Sequence, residues 1–496
     1  MSNIPCSIFN ISVLSRRGQK NKKQENPLSV RFFLPRYCPS AGEAVRGHGG
    51  GFQYIPKMKF ITLTALILAQ GILAVAQDTL KLKDAIVLAL QNNYSISLAE
   101  NSAKISEITN SPGNAGMLPK VDLNGSRSIS INNSHAEYFD GRIRDVADAK
   151  TNNQNAAIQL SWTVFDGLNM FIQRDKLNEL QQLSNTQLQG VIENTVAQVS
   201  RIYFDIVVQE KLLGLYHESL KISTQRKAFA KARLDLGGGS QLTYLQSTVD
   251  MNADSANYMK QISVVKNTVS DLNLILCREL KTEILVEKNI TVNDGLIYEE
   301  LWSKVQEQSP DLMEARSAVN LANLAVKEIK SVRLPRLSIN TAYAYNKSLS
   351  DVGTFTSNRN IGFSGGATLN YNLFNGFTNN QKLKVAKIRE ESAIQDAQLQ
   401  KLSLEANLQQ VYTDFETNKK LVRFEKENIQ FARLNWEIAQ QKYKLGALND
   451  LELRETQKKL MDAENRLLVS LFSCKSAEIE LLRISGQLSG TIVTEQ

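Results

Sequence analysis

The sequence contains few of the residues from which catalytic and metal centres are built. It has three histidines and four cysteines among 496 residues, and these form no HExxH, no CxxC and no mixed Cys/His cluster, which argues against a zinc site. Neither GxxxxGK nor a strand followed by GxGxxG and a helix is present. We therefore expect a protein that is not an enzyme and that needs no cofactor or metal.

An excess of positive charge is also missing from most of the chain. The formal net charge is +8, but residues 1–76 hold 10 of the 58 Lys/Arg and 2 of the 50 Asp/Glu, so the remainder carries 48 of each sign. Recognition of phosphate backbones needs a net basic surface on the working domain. The charge balance therefore argues against a nucleic-acid partner.

The N-terminal segment has the features of an export signal. Met58 and Lys59 precede an apolar stretch that is too short to span a bilayer, and Ala74-Val75-Ala76 follows it; this pattern predicts a signal peptide over residues 58–76. Residues 1–57 show no sustained periodicity. We interpret them as a mis-annotated upstream segment, with a genuine unstructured leader as the alternative.

The rest of the chain contains an internal repeat. Trp162-Thr-Val-Phe165-Asp-Gly167 reappears 209 residues later as Tyr371-Asn-Leu-Phe374-Asn-Gly376, and Leu236-Gly237 reappears at the same offset as Leu445-Gly446. Repeats at a fixed offset indicate duplicated structural units. We therefore expect a tandem duplication, with one repeat over residues 77–288 and the other over residues 296–488.

Each repeat contains a segment in which apolar and polar residues alternate, which is typical of strands with one apolar face. These segments predict β-hairpins over residues 119–167 and 335–376, with the last strand continuing through Tyr371 and Leu373. The polar face is small and uncharged, and aromatic residues lie near the ends of the apolar face, as in outer-membrane strands. An edge of a periplasmic β-sandwich is the alternative. Arg127 is an exception, because it falls on the apolar side.

Four strands in a membrane impose a requirement on assembly. Every backbone N–H and C=O group in hydrocarbon must be paired, so an open four-stranded sheet is not stable there. Other copies of the chain must complete a barrel. Two copies would give an eight-stranded barrel filled by side chains, and three would give a twelve-stranded barrel wide enough for a channel.

Long helices occupy most of the remaining sequence. Residues 168–236 contain no proline, and residues 377–445 contain neither proline nor glycine, so each predicts one rod of about 100 Å at 1.5 Å per residue. Glycine follows both rods. Ser240 and Asn449 are placed to cap the helices that return from these tips.

Together these features resemble the TolC-like outer-membrane efflux proteins. The resemblance covers residues 77–488 and depends on the duplicated helix-hairpin-helix plan, with Leu-Pro leading into each hairpin and Phe-Asp-Gly or Phe-Asn-Gly leading out. It implies a mainly α fold with membrane β-strands, assembled as a homotrimer. The trimer would have a twelve-stranded barrel in outer-membrane lipid and a twelve-helix periplasmic tunnel.

The resemblance also implies site residues at the tips. An acidic constriction would involve Glu452 and Glu455, which lie three residues apart on one helix face. Tyr443 occupies the position of a latch tyrosine, and Thr243 stands where the first repeat would need an acid. Asn449 and Glu452 alternatively form a capping box. The residues expected to dock a periplasmic adaptor are Gly237, Gly238, Gly239, Ser240, Gly446, Ala447, Leu448 and Asn449.

Two functions follow from this reading. The first is a passive exit duct, joined by the adaptor (membrane fusion) protein to an inner-membrane transporter in a tripartite efflux or type I secretion system. The second is a non-transporting periplasmic coiled-coil scaffold anchored by β-hairpins. A duct needs a continuous small polar lining inside the strands, and a scaffold does not. Drug efflux, metal efflux and protein secretion are all compatible with the sequence.

Overall fold

The computed structural model describes residues 79–490, so the proposed leader and signal peptide lie outside the described residues. The first half contains α1 (Leu82–Asn92), α2 (Tyr94–Thr109), β1 (Lys120–Glu137), β2 (Ile143–Phe165), α3 (Asn169–Asp235) and α4 (Gln241–Ile275). The second half contains α5 (Tyr298–Gln308), α6 (Pro310–Ser331), β3 (Arg336–Ser350), β4 (Ser357–Asn370), α7 (Thr378–Lys444) and α8 (Asp450–Ile484). The expectation of a mainly helical fold with a small antiparallel sheet is confirmed.

The four strands form one antiparallel sheet in the order β1-β2-β3-β4. A single row of paired residues crosses it, from Leu123 to Ile158, from Ile158 to Tyr343 and from Tyr343 to Phe363. Because side chains alternate between the faces of a sheet, this register collects the apolar side chains on one face and the small polar ones on the other. The outer edges of β1 and β4 pair with no other strand of the described chain.

The last strand is shorter than its sequence pattern predicts. The prediction of a strand through Tyr371 and Leu373 is wrong, because β4 ends at Asn370, opposite Arg336. β3 begins at Arg336, directly after Pro335, which has no N–H group to donate to a ladder. Residues beyond Asn370 therefore have no strand to pair with, and the chain turns into α7.

A sharp left-handed turn joins each hairpin to its long helix. Gly167 has φ 75° and Leu168 has φ 71° immediately before α3. A Cβ atom at residue 167 would lie 2.4 Å from the backbone oxygen of Ser331, so only glycine fits both the backbone angle and the space. Gly376 and Phe377 repeat this turn before α7, with φ 63° and 62°.

Helices α3 and α7 have 67 residues each, which corresponds to about 100 Å. Near the sheet the helices lie side by side in the order α2, α3, α6, α7, and near the opposite end in the order α4, α3, α8, α7. Helix α7 therefore forms one edge of the chain at both levels. The other edge is α2 near the sheet and α4 at the far end.

The main apolar core lies midway along the rods, where the short helices and the connecting segments pack on them. One cluster joins α1, α3 and α4, with Ile86, Ile206 and Leu272 almost fully buried. A second joins α5, α7 and α8 around Leu408 and Phe415. The two clusters fix the rods relative to each other, and the sheet and the tips extend from this centre in opposite directions.

Within residues 79–490, the structure contains no helix that combines the length and the apolar character needed to cross a membrane.

Candidate functional site at the helical tips

At both tips, the returning helix begins with the N-cap residue that the sequence predicts. The Ser240 hydroxyl accepts a hydrogen bond from the Leu242 N–H at 3.2 Å, and the Asn449 side chain accepts one from the Glu452 N–H at 2.8 Å. Apolar side chains flank both tips in exposed positions. They are Leu236, Leu242, Leu445 and Leu451, which are 87%, 74%, 83% and 74% exposed.

A buried arginine connects three helices just inside these tips. Arg226 on α3 is only 4% exposed. Its Nε donates to Asp450 Oδ1 on α8 at 3.0 Å, its Nη2 pairs with the other oxygen of the same carboxylate, and Nη2 also lies 3.4 Å from Asp250 Oδ2 on α4. A two-point contact between a guanidinium and a carboxylate is strong and directional. The pair therefore holds α3 against the start of α8.

A second arginine makes a parallel connection one turn further along α8. Arg454 donates from Nη1 and Nη2 to the two oxygens of Asp254 on α4, both at 2.8 Å. The hydroxyl of Ser219 on α3 donates to the same carboxylate at 3.2 Å, and Gln457 donates to Ser219 at 3.1 Å. Burial raises the pKa of Asp254, but the hydrogen bonds from Arg454, Ser223 and Ser219 together with the charge of Arg454 outweigh it, so the pKa lies below its ordinary value. Asp254 is therefore an anion at neutral pH.

Tyr443 extends this network to α7. Its hydroxyl lies 3.2 Å from Asp450 Oδ1, and its ring packs against Phe229 at a centroid distance of 5.7 Å. Burial, followed by the charge of Asp450, raises the pKa of Tyr443, so the phenol stays protonated and acts as a donor to that carboxylate. Asp450 thus receives contacts from both long helices.

The predicted acidic residues lie outside this network. Glu452 and Glu455 are exposed on α8, on the side away from buried Leu453 and Gln457. Glu455 makes an ion pair of 3.8 Å with Lys459, in which both side chains are more than half exposed. Exposed pairs of this kind contribute little to stability. Both carboxylates are therefore available to face a common axis in an assembly.

Thr243 lies in the first turn of α4 and is half-buried. It lies at the same helical tip as Ser240. Within the described residues, Thr243 is not part of the ionic network. The carboxylates of the network belong to Asp250, Asp254 and Asp450.

The sequence analysis missed five charged residues of this network, namely Arg226, Asp250, Asp254, Asp450 and Arg454. One signal was available, because Asp250 and Asp254 on α4, and Asp450 and Arg454 on α8, are spaced by four residues and so share a helix face. The pairing itself was not visible, since Arg226 and Asp450 lie 224 positions apart. With three carboxylates and two guanidiniums, the network can lock the helical tips together.

A family model described as "Outer membrane efflux protein" matches residues 85–276 and 301–487. Among curated proteins, the chain is similar to the probable efflux pump outer membrane protein TtgC and to the antibiotic efflux pump outer membrane protein ArpC, both of Pseudomonas putida. Each is 20% identical over 302 residues, which is 59% of this chain. The matched part spans only 60% of the length of either relative.

Solved structures share the fold. A membrane protein from Pseudomonas aeruginosa has a TM-score of 0.70 at 15% identity, covering 84% of this chain and 92% of that one. The Campylobacter jejuni CmeC outer membrane channel has a TM-score of 0.68 at 15% identity, covering 83% and 88%. The open state of the Neisseria gonorrhoeae MtrE outer membrane channel has a TM-score of 0.66 at 15% identity, covering 82% and 89%. Together with the family match, they confirm the resemblance found in the sequence.

Proposed function

The chain belongs to the outer membrane efflux protein family, and on this premise we propose that it is the exit duct of a tripartite efflux or type I secretion system. In this role it passively conducts substrates that an inner-membrane transporter and a periplasmic adaptor deliver. The transporter supplies the free energy. Membership of the family places the chain in the outer membrane with a periplasmic extension, and members of the family are channels rather than enzymes.

The observation that carries this proposal is the polar face of the sheet. In the four-stranded part of the sheet, charged residues on this face occur only at the helix end, at Lys120, Asp122 and Arg336. The rows beyond them are small or amide side chains, such as Ser126, Asn155, Asn346 and Asn360. A wettable lining without charges suits unselective conduction, and a scaffold has no need of it.

Ring closure is supported by the two unpaired edges of the chain. Helix α2 exposes an apolar stripe at one edge, and α7 exposes another at the opposite edge. The stripes consist of Tyr94, Leu98, Ile105 and Ile108 on α2 and of Val385, Ile388, Leu399 and Leu402 on α7. Complementary but different edges pair head to tail and generate rings.

Three copies joined in this way would form the barrel and the tunnel. Each chain contributes four strands to the sheet and four helices at each level of the rods, so a trimer would have twelve of each. Joining β1 of one copy to β4 of the next would also satisfy the backbone groups that hydrocarbon leaves unpaired. Outer-membrane lipid would contact the apolar face of the sheet.

At the far end, the ionic network would hold the tips of the tunnel closed. Glu452 and Glu455 would form two stacked acidic rings around the axis, which would attract cations. Tyr443 and Thr243 would lie beside this constriction. Two arginines offset two of the three carboxylates of the network itself, so the rings would supply the larger share of the free acidic charge at the closed end.

The adaptor would dock on the tips at residues 237–240 and 446–449. The exposed leucines next to these turns provide the apolar surface that such contacts need. The triple glycine at 237–239 makes the first tip less constrained than the second.

We also propose that residues 77–288 and 296–488 are copies of one ancestral unit, since the same order of helices and strands occurs in both.

Single-channel recording on reconstituted trimers tests the duct. We expect discrete conductance steps that trivalent cations block, because the acidic rings concentrate them. Glu455→Ala should lose this block. The matched control is Glu279→Ala, which removes an exposed acid from a connecting segment and should retain it.

The scaffold makes the opposite prediction. A folded trimer that shows no conductance step, even after Glu452 and Glu455 are both changed to alanine, would support the scaffold and refute the duct. Conductance with unchanged cation block in Glu455→Ala would keep the duct and remove Glu455 from the constriction.

A further inference from the structure

One row of the sheet carries three cations on the face that holds most of the apolar side chains. The strand register aligns Arg127 with Gln154, Gln154 with Lys347 and Lys347 with Arg359. Arg127, which appears in the sequence as an isolated exception, is therefore part of a row that crosses all four strands. This cationic row consists of Arg127, Gln154, Lys347 and Arg359.

The rows on either side show that the cations share the apolar face. The adjacent row on the helix side contains Gly125, Ala156, Tyr345 and Ile361. The adjacent row on the loop side contains Ile129, Asn152, Leu349 and Ser357. Neither row includes a carboxylate. The three positive charges therefore have no acidic neighbour above or below them on the same face.

The cations also lack acidic partners elsewhere in the described part of the chain. None of Arg127, Lys347 and Arg359 forms an ion pair with a residue in the range 79–490, and Arg127 makes only a long hydrogen bond of 3.4 Å to Asn152. Lys347 and Arg359 face each other directly across β3 and β4. Like charges in directly opposed positions are destabilising, so an anion that bridges them would stabilise the sheet.

The height of the row corresponds to a membrane interface. Lys347 follows Leu337, the first apolar residue of this face on β3, by ten positions, which is about 34 Å along a strand. With a tilt of about 40°, the vertical distance is about 26 Å, close to the apolar band of about 25 Å in outer-membrane barrels. The row lies toward the hairpin loops, away from the helices, so it would reach the outer leaflet.

We propose that the cationic row binds the phosphate groups of a phosphorylated glycolipid in the outer leaflet of the outer membrane. This inference rests on the proposed function, which puts the apolar face of the sheet in that membrane. Guanidinium groups bind phosphate oxygens at two points. The row spans three strand spacings, about 14 Å, which suits a disaccharide headgroup, and the apolar rows below it would contact the acyl chains.

The test uses the full-length protein with fluorescent lipid A in uncharged phosphatidylcholine vesicles. The variant R127Q/K347Q/R359Q removes the charges of the row. The matched control, K260Q/K266Q/K281Q, removes three exposed lysines from α4 and the segment after it, far from the sheet. Each cation near an anionic lipid surface is worth about fivefold in affinity, so the row variant should bind lipid A about a hundredfold more weakly and the control should match wild type.

Three results would overturn the inference. They are unchanged lipid A affinity in the row variant, an equal loss in the control, and a row variant that loses the same affinity for phosphatidylglycerol vesicles as for lipid A. R359Q alone, which removes a single exposed side chain, should lose about fivefold in affinity. This variant keeps the test valid if the triple variant misfolds. Conductance in pure phosphatidylcholine bilayers is measured in parallel: the absence of steps in wild type contradicts the duct, whereas normal steps with unchanged lipid A binding contradict only the lipid site.

Discussion

Replacing Arg226 by methionine should release the helical tips. The side chain is 4% exposed, and its partners Asp450 and Asp250 are 11% and 17% exposed. Its removal leaves two poorly hydrated carboxylates, of which Asp450 has no arginine and Asp250 keeps only a 3.9 Å contact with Arg454. Breaking a buried ion pair from one side costs about 3 to 5 kcal/mol. The partial exposure of the carboxylates favours the lower value. About 3 kcal/mol corresponds to a shift of about a hundredfold per copy toward separated tips.

The assay is the open probability of single channels, recorded for wild type, Arg226→Met and two comparison variants. Lys231→Met removes an exposed positive charge from the same helix and should leave the open probability unchanged. Arg226→Lys keeps the charge but loses the two-point contact with Asp450, so it should fall between wild type and Arg226→Met. The reasoning is refuted if Arg226→Met gates like wild type, or if Lys231→Met opens the channel equally.

Two further predictions concern stability, measured by thermal unfolding of the detergent-solubilised protein. Against the effect of burial, Arg454 together with Ser223 and Ser219 holds the pKa of Asp254 below its ordinary value. The ionised carboxylate therefore stabilises the fold above that ordinary pKa, and this stabilisation is lost as the pH falls through the lowered pKa. Asp254→Asn should be less stable at pH 7 and lose less stability on acidification than wild type, and an identical pH profile would contradict this. Gly167→Ala should lower the stability of the fold by at least about 1 to 3 kcal/mol, because residue 167 has a positive φ and its Cβ would contact Ser331. Gly125→Ala, with nothing within 4 Å of its Cβ, should change the stability very little. Equal melting temperatures of the two variants would show that the turn is not strained.

The helices and strands could be predicted because their signals are local. The second rod runs from Phe377 to Leu445 without proline or glycine, and the structure shows one helix over Thr378–Lys444. The alternation after Pro335 likewise gave the strand and its apolar face. The end of β4 at Asn370 could not be read in the same way, because it is decided by where the partner strand begins.

The charged contacts required knowledge of which elements are neighbours. Arg226 is one of many charged residues on a long helix until α8 is placed beside α3 and brings Asp450 to it. Arg127 is similarly an isolated exception until the register aligns it with Lys347 and Arg359. Both constellations join residues from distant parts of the sequence, and periodicity within one segment contains no information on such pairings.

The two unlike edges of the sheet have a genetic consequence. If β1 of each chain joins β4 of the next, a chain with one damaged edge can still enter a ring through its intact edge. The ring then contains one faulty junction and does not close properly. In a cell that makes normal and damaged chains in equal amounts, only about one ring in eight would contain three normal chains. Mutations at β1 or β4 should therefore be dominant over a wild-type allele, whereas mutations that prevent folding altogether should be recessive.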